Sequence, residues 1–145
     1  MQNKLLIISI LTLILFANAC TDTEDIIPTY RFSRQINDIS TDPRYNQDNT
    51  FRVQYDSYGN SIGNAGVVIY RLTADQYYVF DLMCPYEKNL GSLVNITEDG
   101  FCVCPTCGSK FLVASEYGGL LEGPSKWPLY KYKSEVVNGT LNIWN

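Results

Sequence analysis

Gly66-Val67-Val68-Ile69-Tyr70-Arg71-Leu72 and Gln76-Tyr77-Tyr78-Val79-Phe80-Asp81-Leu82-Met83 are two runs dominated by β-branched and aromatic residues. Such side chains pack well on a pleated, half-buried backbone. Only Thr73-Ala74-Asp75 separates them, a hairpin-length connection, so the pair is predicted to form two adjacent antiparallel strands. Upstream, residues 30–36 and 50–55 alternate well enough to be strands, with Asp42-Pro43 as a turn between them. Downstream, residues 92–96, 100–104, 110–114, 129–133 and 140–144 read as further short strands. Turn signals punctuate them at Glu98-Asp99-Gly100, Tyr117-Gly118-Gly119 and Asn138-Gly139. Beyond residue 19, no window keeps apolar residues at helical spacing for more than a turn or two. Short strands at regular spacing predict an all-β small sandwich or barrel of antiparallel strands.

The N-terminus has a different character. Lys4 precedes an apolar run from Leu5 to Phe16, and Ala17-Asn18-Ala19 leads directly into Cys20. A charged start, an apolar segment and small residues before a cut make a signal peptide over residues 1–19. The apolar run falls short of the roughly 20 residues a spanning helix requires. A cysteine immediately after the small residues resembles a bacterial lipobox, which implies lipidation of Cys20 and attachment to the cell envelope, as an outer-membrane lipoprotein facing the periplasm or the surface. Residues 20–29 then form an acidic tether, and Thr21-Asp22-Thr23-Glu24-Asp25 resembles the surface-export signal of some outer-membrane lipoproteins. A plain solvated linker is the alternative reading of the same stretch. Residues 30–145 are expected to form one β domain.

Charge and composition exclude several functions. Losing Lys4 takes the formal charge from −4 to −5, and no basic run is present, so nucleic-acid binding has no support. The membrane partner is reached through the lipid rather than by surface charge. The chain contains no histidine. Ser-His-Asp catalysis, Cys-His catalysis and histidine metal ligation are therefore excluded outright. Asp81 and Glu87 flank a cysteine and form a conceivable carboxylate pair, but the sequence supplies no geometry for it, and surface solvation is the simpler reading. The strand tyrosines Tyr70, Tyr77, Tyr78, Tyr130 and Tyr132 are read as sheet packing rather than a ligand site. No sequence feature names a protein partner.

Chemistry concentrates in four further cysteines. Cys84 stands in Cys84-Pro85-Tyr86 at the end of a strong strand, and three more lie in Cys102-Val103-Cys104-Pro105-Thr106-Cys107-Gly108-Ser109. Two cysteine loops at strand ends predict a site assembled by the tertiary fold.

These two loops resemble those of Rieske iron–sulfur domains, which carry a C-x-H loop and then a C-x-x-H loop of the form C-P-x-H-G-S. Seventeen residues separate Tyr86 from Cys104 here. The likeness extends through Gly118-Gly119, through Gly123-Pro124 as the proline loop, and through Asn138-Gly139 in the closing hairpin. It implies a Rieske-like fold in which Trp127, beside the proline loop, caps the cysteine loops. By position, Cys84 and Cys104 take the cysteine places, whereas Tyr86 and Cys107 take the histidine places. The resemblance is therefore to a histidine-less branch, and an ordinary Rieske cluster needs two histidines on one iron.

Three readings of the thiols stay open. In an envelope compartment disulfides persist. Cys102 and Cys104 share a strand face at about 7 Å and are hard to bridge. That leaves Cys84–Cys104 with Cys102–Cys107, or Cys84–Cys102 with Cys104–Cys107, in a cluster-less structural or interaction lipoprotein. Alternatively, Cys84, Cys104, Cys107 and Cys102 hold a [2Fe–2S] cluster or zinc, in an electron-transfer or metal-binding module. Third, Cys104 and Cys107 form a reactive redox pair.

Overall fold

The computed structural model describes residues 25–145; the signal segment, Cys20 and the tether up to residue 24 lie outside the described residues. The all-β expectation holds. Ten strands occur among the described residues: β1 (Ser33–Ile36), β2 (Thr50–Val53), β3 (Val67–Arg71), β4 (Tyr77–Asp81), β5 (Asn95–Ile96), β6 (Cys102–Val103), β7 (Lys110–Leu112), β8 (Gly119–Glu122), β9 (Lys131–Val137) and β10 (Thr140–Trp144). A single 3-10 turn at Pro43–Tyr45 is capped by the Asp42 side chain, which accepts the Arg44 N–H.

Six strands form one curled antiparallel sheet in the order β1-β10-β9-β4-β3-β2, and four form a smaller sheet in the order β5-β6-β7-β8. The small sheet is inserted in sequence between β4 and β9, which are neighbours in the large one. Asn138 and Gly139 both take positive φ, 50° and 77°, as the two central residues of a type I′ hairpin between β9 and β10 must.

The run Val67-Val68-Ile69 is apolar without alternation because β3 and β4 are covered on both faces. Val67, Ile69 and Val79 join Ile36, Tyr132, Leu141 and Ile143 in one core. Val68 and Phe80, which pair across β3 and β4, point the other way into a second core with Cys102, Phe111, Val113 and Leu129. The second core is what joins the two sheets. Each fully buried aliphatic or phenyl side chain of this kind stabilises by about 1.5–3 kcal/mol relative to exposure.

Packing also begins earlier than residue 30. Ile27 is fully buried, and the Pro28 carbonyl accepts the Asn64 amide, so the last residues assigned to the tether lie against the domain. Tyrosines serve packing as expected: Tyr70 and Tyr78 stack across β3 and β4 with ring centroids 6.3 Å apart, and Tyr130 meets Tyr132 edge-on at 5.2 Å.

Asp81 departs from expectation. The sequence predicts a solvated surface carboxylate, yet Asp81 is fully buried at the end of β4. Its carboxylate accepts the Tyr132 hydroxyl at 2.6 Å, the Asn64 N–H at 2.8 Å and the Met83 N–H at 2.7 Å. Burial and the adjoining carboxylate push the Tyr132 phenol well above its ordinary pKa, so it is a committed donor. Strand alternation places position 81 on the same inward face as Val79, and hydrogen bonding satisfies the charge there.

Candidate metal centre

The site is built on two turns of similar construction. The chain leaves β4 through Leu82–Cys84, which pairs with Ser92–Val94: the Val94 N–H reaches the Leu82 carbonyl at 2.8 Å, and the Cys84 N–H reaches Ser92 O at 3.0 Å. This pins both ends of the first loop, and the Lys88 N–H closes back on the Cys84 carbonyl at 2.8 Å inside it. The second loop joins β6 to β7. There Cys104 N–H donates to Ser109 O at 2.9 Å, and Gly108 N–H closes on Cys104 O at 2.9 Å. Gly108 sits at φ +74°, the left-handed conformation that such a turn needs and glycine adopts without strain.

The loops meet. Cys84, Cys104 and Cys107 bring their sulfurs within 4.8 Å of one another, and the Cys84 and Cys107 sulfurs are 3.6 Å apart. The expected convergence of residue 84 with residues 104–107 is thus present. Cys102 is not in the group. Its side chain lies fully buried in the second core, opposite Phe111 across β6 and β7. All four described cysteines are free thiols. The two disulfide schemes each required Cys102 beside another cysteine, and the thiols that gather here do so without it.

Neighbouring hydroxyls hold the loops in place. Ser92 Oγ and Thr106 Oγ1 are 3.0 Å apart, a hydrogen bond that joins loop one to loop two. Ser109, fully buried, places its Oγ 3.2 Å from Cys107 Sγ and accepts the Ser125 N–H at 3.2 Å. Ser125 in turn bonds the Trp127 backbone, through Oγ to the carbonyl at 2.7 Å. The segment at residues 123–125 therefore packs against the second loop. A Cβ on Gly123 would stand 2.5 Å from Ser109 Cα, so only glycine allows this approach.

The sulfurs differ in acidity. Burial pushes the Cys84 thiol up to about 12, against the amide N–H groups of Glu87 and Tyr86 that point at it. Burial raises Cys107 as well, but hydrogen bonding with the Ser109 hydroxyl and amide and with the Cys104 and Cys84 thiols outweighs it, and the net shift is downward. Cys102 is pushed up to about 12 by burial alone, as an inert core thiol would be. Cys107 is the most exposed of the four, and its thiol is shifted towards the thiolate where those of Cys84 and Cys102 are shifted away from it.

Three sulfurs in this arrangement can hold a metal ion. Tetrahedral coordination with metal–sulfur bonds of about 2.3 Å sets ligand sulfurs about 3.8 Å apart. The Cys84–Cys107 separation of 3.6 Å is already close to such an edge. Tyr86, in the place of a Rieske histidine, is 52% exposed and outside the group. Asp81 and Glu87 do not form a carboxylate pair, because Asp81 faces the first core. Sequence reasoning gave no role to Ser92, Thr106 or Ser109; only Ser109 falls on a motif position, the serine of C-P-x-H-G-S, and the other two hydroxyls have no signature until their partners are known.

In class, then, this is an all-β protein of two antiparallel sheets carrying a three-cysteine cluster able to hold a metal ion. No family model matches the chain, and no curated protein matches it.

Proposed function

We propose that this protein is an envelope lipoprotein that binds one transition-metal ion, zinc or iron, through Cys84, Cys104 and Cys107. The observation that carries the reading is the convergence of three thiols from two separately pinned loops within 4.8 Å. A single ion suits three mutually adjacent sulfurs. A [2Fe–2S] cluster distributes four protein ligands over two irons, and Cys102 stands apart from the group. The resemblance of the loops to Rieske loops supports a metal-binding or electron-transfer ancestry, with thiolate chemistry replacing the lost histidines.

Anchoring through Cys20 would place the site close to a membrane. Lys88, in the first cysteine loop, donates from Nζ to the Asp25 carbonyl at 2.8 Å. Asp25 is five residues past Cys20, a span of at most about 18 Å when extended. No helix among the described residues is long and apolar enough to cross a membrane, so the lipid is the proposed attachment.

A second reading rests on the same contact. At 3.6 Å the Cys84 and Cys107 sulfurs need only a small side-chain movement to form a disulfide in an oxidising compartment. The protein would then be a structural or interaction lipoprotein. The two readings separate on purification of residues 21–145 after aerobic and anaerobic expression, with metal content, visible spectrum and free-thiol count measured. The proposal expects one metal ion per chain and reactive thiols after chelation. Two irons with a brown colour would replace it with a cluster. A colourless, metal-free protein with its Cys84 and Cys107 thiols oxidised would sink it.

A further inference from the structure

The two cysteine loops are copies of one turn, and the copies differ at one decisive position. Cys84-Pro85-Tyr86-Glu87-Lys88 aligns with Cys104-Pro105-Thr106-Cys107-Gly108. In each, proline follows the first cysteine. In each, the fifth residue donates its N–H to the carbonyl of the first, at 2.8 Å from Lys88 and 2.9 Å from Gly108. In each, that fifth residue lies at positive φ, 51° for Lys88 and 74° for Gly108. A turn closed in this way carries its first and fourth side chains to the same side. In the second loop those are Cys104 and Cys107, and both sulfurs enter the cluster. In the first loop they are Cys84 and Glu87.

Glu87 thus stands where a fourth thiol would complete a symmetric four-ligand site. Its backbone amide is near enough to the Cys84 sulfur to oppose the effect of burial on that thiol, so its backbone stands beside the centre. Its carboxylate makes no hydrogen bond or ion pair with the described residues, although the side chain is half-buried. Other polar groups nearby are engaged: Thr106 Oγ1 with Ser92, and Ser109 Oγ with Cys107 and Ser125. Lys88 is a cation and bonds the Asp25 carbonyl. The carboxylate lies outside the 4.8 Å group of sulfurs, so ligation requires it to rotate about its own side-chain bonds.

Resting on the single-ion reading above, we propose that Glu87 is the fourth ligand, giving a Cys84–Glu87–Cys104–Cys107 site in which each turn contributes its first and fourth residues. Zinc accepts a carboxylate oxygen at about 2.0–2.2 Å beside thiolates. An oxygen in the set favours Zn(II), Co(II) or Fe(II) over Cu(I), which prefers soft ligands alone. It also makes one corner of the site weaker than the other three.

The test is an anaerobic titration of residues 21–145, the segment that contains every described residue, with Co(II) and with Zn(II) against a competing chelator. Wild type is compared with Glu87→Gln and Glu87→Cys. Glu87→Gln is expected to weaken zinc binding at least tenfold and to shift the cobalt d–d bands, with Tm of the metal-free protein unchanged. Glu87→Cys is expected to raise the sulfur-to-cobalt charge-transfer absorbance by about one third, as four thiolates replace three. Equal zinc affinity and identical cobalt spectra in wild type and Glu87→Gln would overturn the assignment of Glu87 while leaving the three-thiol site standing. A wild-type chain that takes up neither metal would overturn both.

Discussion

The large and small sheets share a core but are held together differently. β3 and β4 pair over five registered residues, and so do β9 and β10. β5 with β6, and β6 with β7, pair over two each, and β7 slips register against β8 between Lys110 and Phe111. Ladders that short supply few backbone hydrogen bonds and depend on side-chain burial and on pinned loops. The small sheet leans on Phe111 and Val113 in the second core, and on the Ser92–Thr106 and Ser109–Ser125 contacts at its tip. The thiols sit at that tip, with Cys84 contributed by the end of the large sheet and Cys104 and Cys107 by the small one. Chemistry has been placed where one sheet is fastened to the other.

Phe80→Ala attacks what the sheets have in common. Phe80 is fully buried in the second core, and its loss is expected to cost about 3–5 kcal/mol. If the sheets fold as one unit, urea unfolding followed by tryptophan fluorescence and by circular dichroism will shift together; separate transitions would show that the small sheet is an independent unit.

Asp81→Ala strikes the end of β4 and the start of the segment that leads to Cys84. It leaves the buried Tyr132 hydroxyl and the Asn64 and Met83 amides without their acceptor. The expected destabilisation is about 3 kcal/mol, with zinc affinity unchanged. A change in metal affinity as large as the change in stability would show that the two regions are coupled through β4 after all.

The smallest effect belongs to pH. Burial raises Cys84 and Cys102 from 9.0 to about 12 in the folded, metal-free protein. A folded pKa above the unfolded one means that the stabilisation is complete below about pH 9 and declines as pH rises towards 12. Cys102→Ala removes one of these groups from the small sheet without adding volume, so its Tm is expected to fall less steeply between pH 8.5 and about 11 than that of wild type. Parallel curves for the two proteins would show that Cys102 does not titrate with unfolding.

Much of the architecture was legible from local pattern. β10 lies at the expected residues, and the Asn138-Gly139 hairpin has the backbone its residues demand, because both depend on side chains a few positions apart. β8 was not anticipated: Gly118-Gly119 reads as a turn, yet Gly119 opens a strand that exists only because β7 is there to pair with it. Within the site, the meeting of Cys84 with Cys104 and Cys107 was anticipated from two similar loops. The exclusion of Cys102 was not, since strand alternation alone leaves open which sulfurs share a centre. Asp81 was misjudged for a related reason. A carboxylate is placed in solvent by default, and only the Tyr132 hydroxyl and two amides, brought from distant segments, make its burial tolerable.

Residue order settled that the described chain is all-β, where its tight turns fall and that histidine chemistry is absent, because composition and short-range backbone preference act within a few residues. Which thiols converge, and which one is buried as a core residue, were decided by tertiary structure. Those facts depend on contacts between segments some twenty residues apart, whose closeness is set by how two sheets cover one core.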